Sequence, residues 1–167
     1  MKKVRKTADG YYIFSQSILV GSDAAGLLSI VGIGGAVSAT YVSRIVDIID
    51  KRKILFASSI LMLLAWLLFY STGLMYIGLI FGIFILDIGL QSIHITNQSI
   101  IFSKDEDATN RLNTAYMTCY FLGGSLGAFL GGKAWAIWGW DGVVITGIVF
   151  ILFLLVLQFF PLKSLNK

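Results

Sequence analysis

Only 13% of the 167 residues are charged, 57% are hydrophobic, and the mean hydropathy is +0.84. Soluble domains carry about 25% charged residues, so the composition excludes one and points to an all-α integral membrane protein, a polytopic helix bundle of about five transmembrane helices. The net charge of +4 comes mostly from segments where cytoplasmic loops are expected and does not point to nucleic acid.

Residues 1–23 read as a polar N-terminus and a partial helix. After MKKVRKTAD, the stretch YYIFSQSILV holds Ser15, Gln16 and Ser17 with no small-residue cleavage site behind it, so no signal peptide is expected. Residues 11–20 are too short for a bilayer, which takes ~20 residues to cross. The bundle is expected over 24–162. Its first span, 24–43, repeats small residues every four positions (Gly35, Ala39, Ser43; Gly32, Ala36), a close-packing face. The loop 44–53, RIVDIIDKRK, carries Arg44, Lys51, Arg52 and Lys53 against Asp47 and Asp50, and its basic excess marks it as cytoplasmic. The span 54–70 has only Ser58 and Ser59 as polar residues and is expected to face lipid, with Trp66 and Tyr70 at the far interface. A tight turn, Ser71-Thr72-Gly73, follows.

Residues 74–101 carry the strongest functional signal. At ~100° per residue, Asp87, Gln91, His94 and Gln98 fall within an arc of about 60°, with Asn97 beside it. A carboxylate and an imidazole are costly in hydrocarbon, about 2.5–3.5 kcal/mol or more for ionised Asp, so such groups face protein or a water-filled path. Either this stripe does transport or proton work, or it glues the helix to a neighbour. The acidic loop 103–111 (Asp105, Glu106, Asp107) is expected to cap the next helix. In the span 112–134, Asn113, Tyr116, Tyr120, Gly127 and Gly131 share a face, and Gly123, Gly127 and Gly131 form a GxxxGxxxG. It reads as a cavity-lining helix or as a helix–helix seam. Cys119 in the same span reads as a small buried hydrophobe. Trp135, Trp138 and Trp140 suit an outer interface. The uncharged span 143–160 should face lipid, and 163–167 is a basic cytoplasmic tail. Five spans that start outside end inside, which leaves MKKVRK on the outer side, against the usual charge pattern. No nucleophile set, metal-ligand spacing or phosphate loop is present, so neither an enzyme nor a cofactor is expected.

Three segments carry a resemblance. Ser43-Arg44-Ile45-Val46-Asp47-Ile48-Ile49-Asp50-Lys51-Arg52-Lys53 is similar to a loop motif of the major facilitator superfamily, and LDIGLQSIHITNQ (86–98) and RLNTAYMTCYFLGGSLGAFLGGKAWAIWGW (111–140) resemble signatures of its bacterial efflux permeases. The resemblance covers about residues 11–160. It implies the C-terminal half of such a transporter, with 24–43, 54–70, 74–101, 112–134 and 143–160 as helices eight to twelve and residues 11–20 as the end of helix seven. Ser43 replaces the motif's glycine and Ile48 its arginine. The resemblance implies a gating loop (Arg44, Asp47, Arg52, Lys53, Arg111) and proton-coupled efflux of a small molecule from the inner membrane. Asp87 and His94 would then couple protons, and Gln91, Asn97, Gln98, Asn113, Tyr116 and Tyr120 would line the substrate path. Gly35, Gly123, Gly127 and Gly131 would pack helices. Family members place substrate between two six-helix halves, so an N-terminal half or a second copy is expected as partner, besides lipid and substrate. The start MKKVRK reads as a restart after a truncation or as the mark of a broken gene. The alternative is a non-transporting membrane interaction protein or an inactive fragment.

Overall fold

The computed structural model of the chain describes residues 37, 39–73, 75–104 and 108–159. Residues 39–45 are helical, and three longer helical elements follow, with no strand among the described residues. All three are long and apolar enough to cross a membrane. Helix α1, Lys51–Thr72, spans about 33 Å at 1.5 Å per residue, close to the ~30 Å of a hydrocarbon core. It starts where the Asp50 carboxylate accepts the Arg52 backbone N–H at 2.9 Å, a side-chain cap for one of the free amides of the first turn. It ends at Gly73, whose φ of 59° is open to glycine and strained for other residues. Helix α2 is Tyr76–Phe102.

The third element, Thr109–Phe159, is 51 residues long, but Gly139 breaks it with φ 63° and ψ −143°. That conformation is essentially restricted to glycine, and here it reverses the chain. We call residues 109–138 α3 and residues 140–159 α4. The contacts fix the hairpin. Trp140 Nε1 donates to the Phe69 carbonyl at 3.2 Å, near the end of α1. At the other end, Gln158 Nε2 donates to Ser59 Oγ at 2.8 Å, and an Arg52 guanidinium nitrogen donates to the Gln158 carbonyl at 3.2 Å. So α4 runs antiparallel to α1. The reversal takes one residue, where composition alone suggested a connection over 135–142. The helix continues through Trp135 and Trp138, and Trp135 and Trp140 meet edge to face with centroids 6.5 Å apart.

Among the described residues α1 is the central helix, packed by both α2 and α4, rather than the peripheral one expected from its blandness. Ser58, Ser59, Ala65 and Phe69 are buried. In lipid, apolar area gives little drive for helix pairing, and close approach at small residues does the work. Here the glycines under α1 side chains are Gly78 beneath Thr72, Gly82 beneath Phe69, Gly89 beneath Met62 and Gly147 beneath Trp66. Trp66 therefore sits half-buried in a helix contact, while Tyr70 stays exposed.

The Ser59–Gln158 pair is an unequal one. The Ser59 hydroxyl also donates to the Leu55 carbonyl at 2.9 Å, whereas Gln158 Oε1 is buried with no partner among the described residues. Ser59→Ala strands the Gln158 amide and is expected to cost about 1 kcal/mol. Gln158→Leu leaves Ser59 bonded, removes the orphaned oxygen and is expected to be neutral or stabilising. Thermal unfolding in detergent separates the two variants. Equal losses would mean that Gln158 contributes through its shape and not through this hydrogen bond.

Candidate functional site

Helix α2 has two polar faces, and they do different work. Gly78, Gly82, Gly89, Ser92 and Thr96 recur on the side that meets α1. Ser92 and Thr96 are buried there and return their hydroxyls to the carbonyls of Ile88 and Ser92, both at 2.7 Å. Thus the polar face against α1 satisfies itself within its own helix. The stripe of Asp87, Gln91, His94 and Gln98 lies on the opposite side, turned away from α1.

That stripe meets α3 at His94. The imidazole Nδ1 lies 2.9 Å from the Tyr116 hydroxyl. The same hydroxyl is 3.5 Å from the His94 carbonyl, to which it can also donate. The Tyr120 ring stands 4.9 Å from the imidazole centroid and the Tyr116 ring 5.5 Å. Asn113, one turn before Tyr116, has a buried Oδ1 with no donor among the described residues. So the structure brings His94, Tyr116 and Tyr120 into one cluster, with Asn97 one turn along α2 from His94 and Asn113 one turn before Tyr116 on α3. It does not draw in the rest of the stripe. Asp87, Gln91 and Gln98 are partly exposed, and no hydrogen bond among the described residues reaches their side chains.

The segment expected to gate lies at the end of the bundle opposite Gly139. Asp47 accepts from the Ser99 hydroxyl at 3.5 Å, and Lys51 Nζ donates to the Ser99 carbonyl at 3.4 Å. With Arg52 on the Gln158 carbonyl, two successive basic residues at the start of α1 hold carbonyls in the last turns of α2 and α4, where a cation complements the helix dipole. Arg44, Lys53 and Arg111 are exposed. Asp105, Glu106, Asp107 and Gly35 lie outside the described residues, as do the N-terminal segment, most of the first expected span and the basic tail.

A family model, that of the Major Facilitator Superfamily, matches residues 11–166. The chain belongs to this superfamily. It is 43% identical over 88 residues to "Uncharacterized transporter YgaY" of Escherichia coli O157:H7, which covers 53% of this chain and 22% of that protein. It is 31% identical over 120 residues to "Probable transporter SCO4007" of Streptomyces coelicolor, covering 72% of this chain and 28% of that protein. The chain therefore spans less than a third of the length of these relatives. No solved structure matches it.

As a superfamily chain, this one is a membrane protein of a transporter family. Its third signature, 111–140, holds a surprise. No described atom lies within 4 Å of a Cβ built on Gly123, Gly127 or Gly131, so the GxxxGxxxG packs against none of the described residues. Cys119 is exposed rather than buried, because this stretch of α3 touches α2 only on the side of Tyr116 and Tyr120. The glycines that do pack under α1 side chains, Gly78, Gly82 and Gly89 on α2 and Gly147 on α4, were not singled out by the sequence. Lys51, Ser99, Ser59 and Gln158 were the residues that reading by motif passed over.

Proposed function

We propose that this chain is one part of a proton-coupled transporter that exports small molecules across the inner membrane, with an N-terminal half or a second copy completing it. The observation that carries the reading is the polar stripe on α2. It faces away from the helix that packs α2, it includes a carboxylate and an imidazole, and at His94 it is joined to tyrosines of a second membrane helix. A stripe that only glued helices would be consumed by the neighbour it holds, and Asp87, Gln91 and Gln98 are not consumed by any described neighbour. The buried Asn113 Oδ1, with no donor among the described residues, suits a solute that brings an N–H or O–H group. Asp87 and His94 carry protons in this reading. Gln91, Asn97, Gln98, Asn113, Tyr116 and Tyr120 line the path, and Arg44, Asp47, Arg52, Lys53 and Arg111 belong to the loop that opens and closes it.

In transporters of this kind the site lies between two opposed halves, so the partner is the first thing to test. Native mass measurement in mild detergent, with identification of each polypeptide, is expected to give a complex with a second half or a defined oligomer. A lone chain of 18.3 kDa would sink the reading. The glycine face of α3, which no described residue covers, favours a second reading, a membrane interaction protein that associates without transporting. A defined oligomer that catalyses no flux in proteoliposomes would select it.

A further inference from the structure

We infer that His94 and Tyr116 form a relay that takes a proton onto the imidazole without parting α2 from α3, the Tyr116 hydroxyl changing from donor to acceptor as it does so. The inference rests on the proton-coupled reading and narrows it. It gives His94 a defined proton acceptor atom and gives Tyr116 a positioning role.

The argument starts from the inventory of the hydroxyl. Tyr116 has one hydrogen to donate and can accept two. Of its possible acceptors, His94 Nδ1 is at 2.9 Å and the His94 carbonyl at 3.5 Å. In the neutral tautomer with the ring hydrogen on Nε2, Nδ1 carries the lone pair and the hydroxyl donates to it, the nearer of the two atoms. When a proton arrives from hydronium in the path, it forms the new bond at Nδ1 and leaves water behind. Nδ1–H must now donate, and Tyr116 accepts it. The hydroxyl hydrogen turns to the His94 carbonyl. Every partner keeps a hydrogen bond in both states, and the crossing between the helices survives. The charged ring also gains two aromatic neighbours, with Tyr120 at 4.9 Å and Tyr116 at 5.5 Å, within the ~6 Å over which a cation is attracted to a ring face.

The groups around His94 are few. Tyr116 and Tyr120 come from α3. Asn97 lies on α2, and Asp87 stands two turns along it. No hydrogen bond or ring contact joins His94 to α1 or α4 among the described residues.

The chain has one histidine, so full-length protein labelled with 15N-histidine gives one pair of ring-nitrogen signals. At high pH we expect Nε2 protonated and Nδ1 displaced towards the shift of a hydrogen-bonded acceptor. Tyr116→Phe should return Nδ1 to the shift of a free acceptor nitrogen, while Tyr120→Phe leaves it in place. On acidification both nitrogens should carry hydrogens while the cross-peaks between the His94 and Tyr116 rings persist. A protonated Nδ1 at high pH, an unchanged Tyr116→Phe spectrum, or loss of those cross-peaks in acid would each overturn the relay. None of these readouts uses transport. Failure of the relay leaves coupling through Asp87 standing, whereas pH-independent flux with an intact relay would overturn the coupling reading alone.

Discussion

Gly147→Leu is expected to lower the stability of the chain by about 3 kcal/mol or more, while Gly127→Leu leaves the stability of a lone chain almost unchanged. The substitution is the same and both sites are membrane-helix glycines, so the difference isolates packing. At Gly147 a Cβ alone would fall on the indole of Trp66. That ring cannot retreat easily, because it also packs edge to face on Phe69, with centroids 5.5 Å apart, and Phe69 in turn meets Trp140 at 6.1 Å. Overpacking of a well-filled contact costs about 1–3 kcal/mol and occasionally more, and here a whole isobutyl group must enter the α1–α4 seam. At Gly127 no described atom lies within 4 Å, and Leu replaces Gly at a gain of roughly 0.5–1 kcal/mol in helix propensity. Thermal unfolding of both variants in detergent checks the pair. Equal losses would mean that the Gly127 face is covered in the purified protein. A change in native mass for Gly127→Leu, with insertion intact, would then show that another chain covers it.

That contrast also marks what the sequence could and could not tell. The all-α membrane architecture follows from composition and from runs of apolar residues long enough to span, and both survive any choice of partners. The pairing of helices does not follow in the same way. GxxxGxxxG on α3 is the most regular small-residue pattern in the chain, yet the glycines used are the scattered ones, Gly82, Gly89 and Gly147, because what makes a glycine a contact is a large side chain placed opposite it. Phe69, Met62 and Trp66 supply those side chains from α1, and no pattern within α2 or α4 announces them. The stripe on α2 was legible because helical period alone gathers Asp87, Gln91, His94 and Gln98. Its joining to Tyr116 was not, since two faces chosen separately by period can meet at any register. Lys51 and Arg52 looked like charges that set topology. Their carbonyl partners in the last turns of α2 and α4 depend on three helix ends arriving at one level, a property of lengths and turns rather than of any motif.

Asp87→Asn is expected to abolish proton-driven flux in the assembled transporter, by about two orders of magnitude, and to leave the remaining flux insensitive to pH. Asparagine keeps the volume and can still hydrogen-bond, but it neither takes up nor gives up a proton. Insertion and complex mass should therefore be those of the parent protein. The carboxylate sits inside a membrane helix, where an ionised group facing lipid costs about 2.5–3.5 kcal/mol or more, and no described residue bonds it. Something outside the described residues must meet it. If that is a static partner, Asp87→Leu should break the assembly and Asp87→Asn should preserve pH-dependent flux, because the amide can keep the bond. If it is a solute path, Asp87→Leu should preserve the assembly and both variants should lose coupling. Flux into proteoliposomes at several external pH values, with native mass measured on the same preparations, separates the two. Parent-like pH dependence in Asp87→Asn would remove Asp87 from the coupling and leave His94, the other titratable group of the stripe, to be tested by His94→Gln.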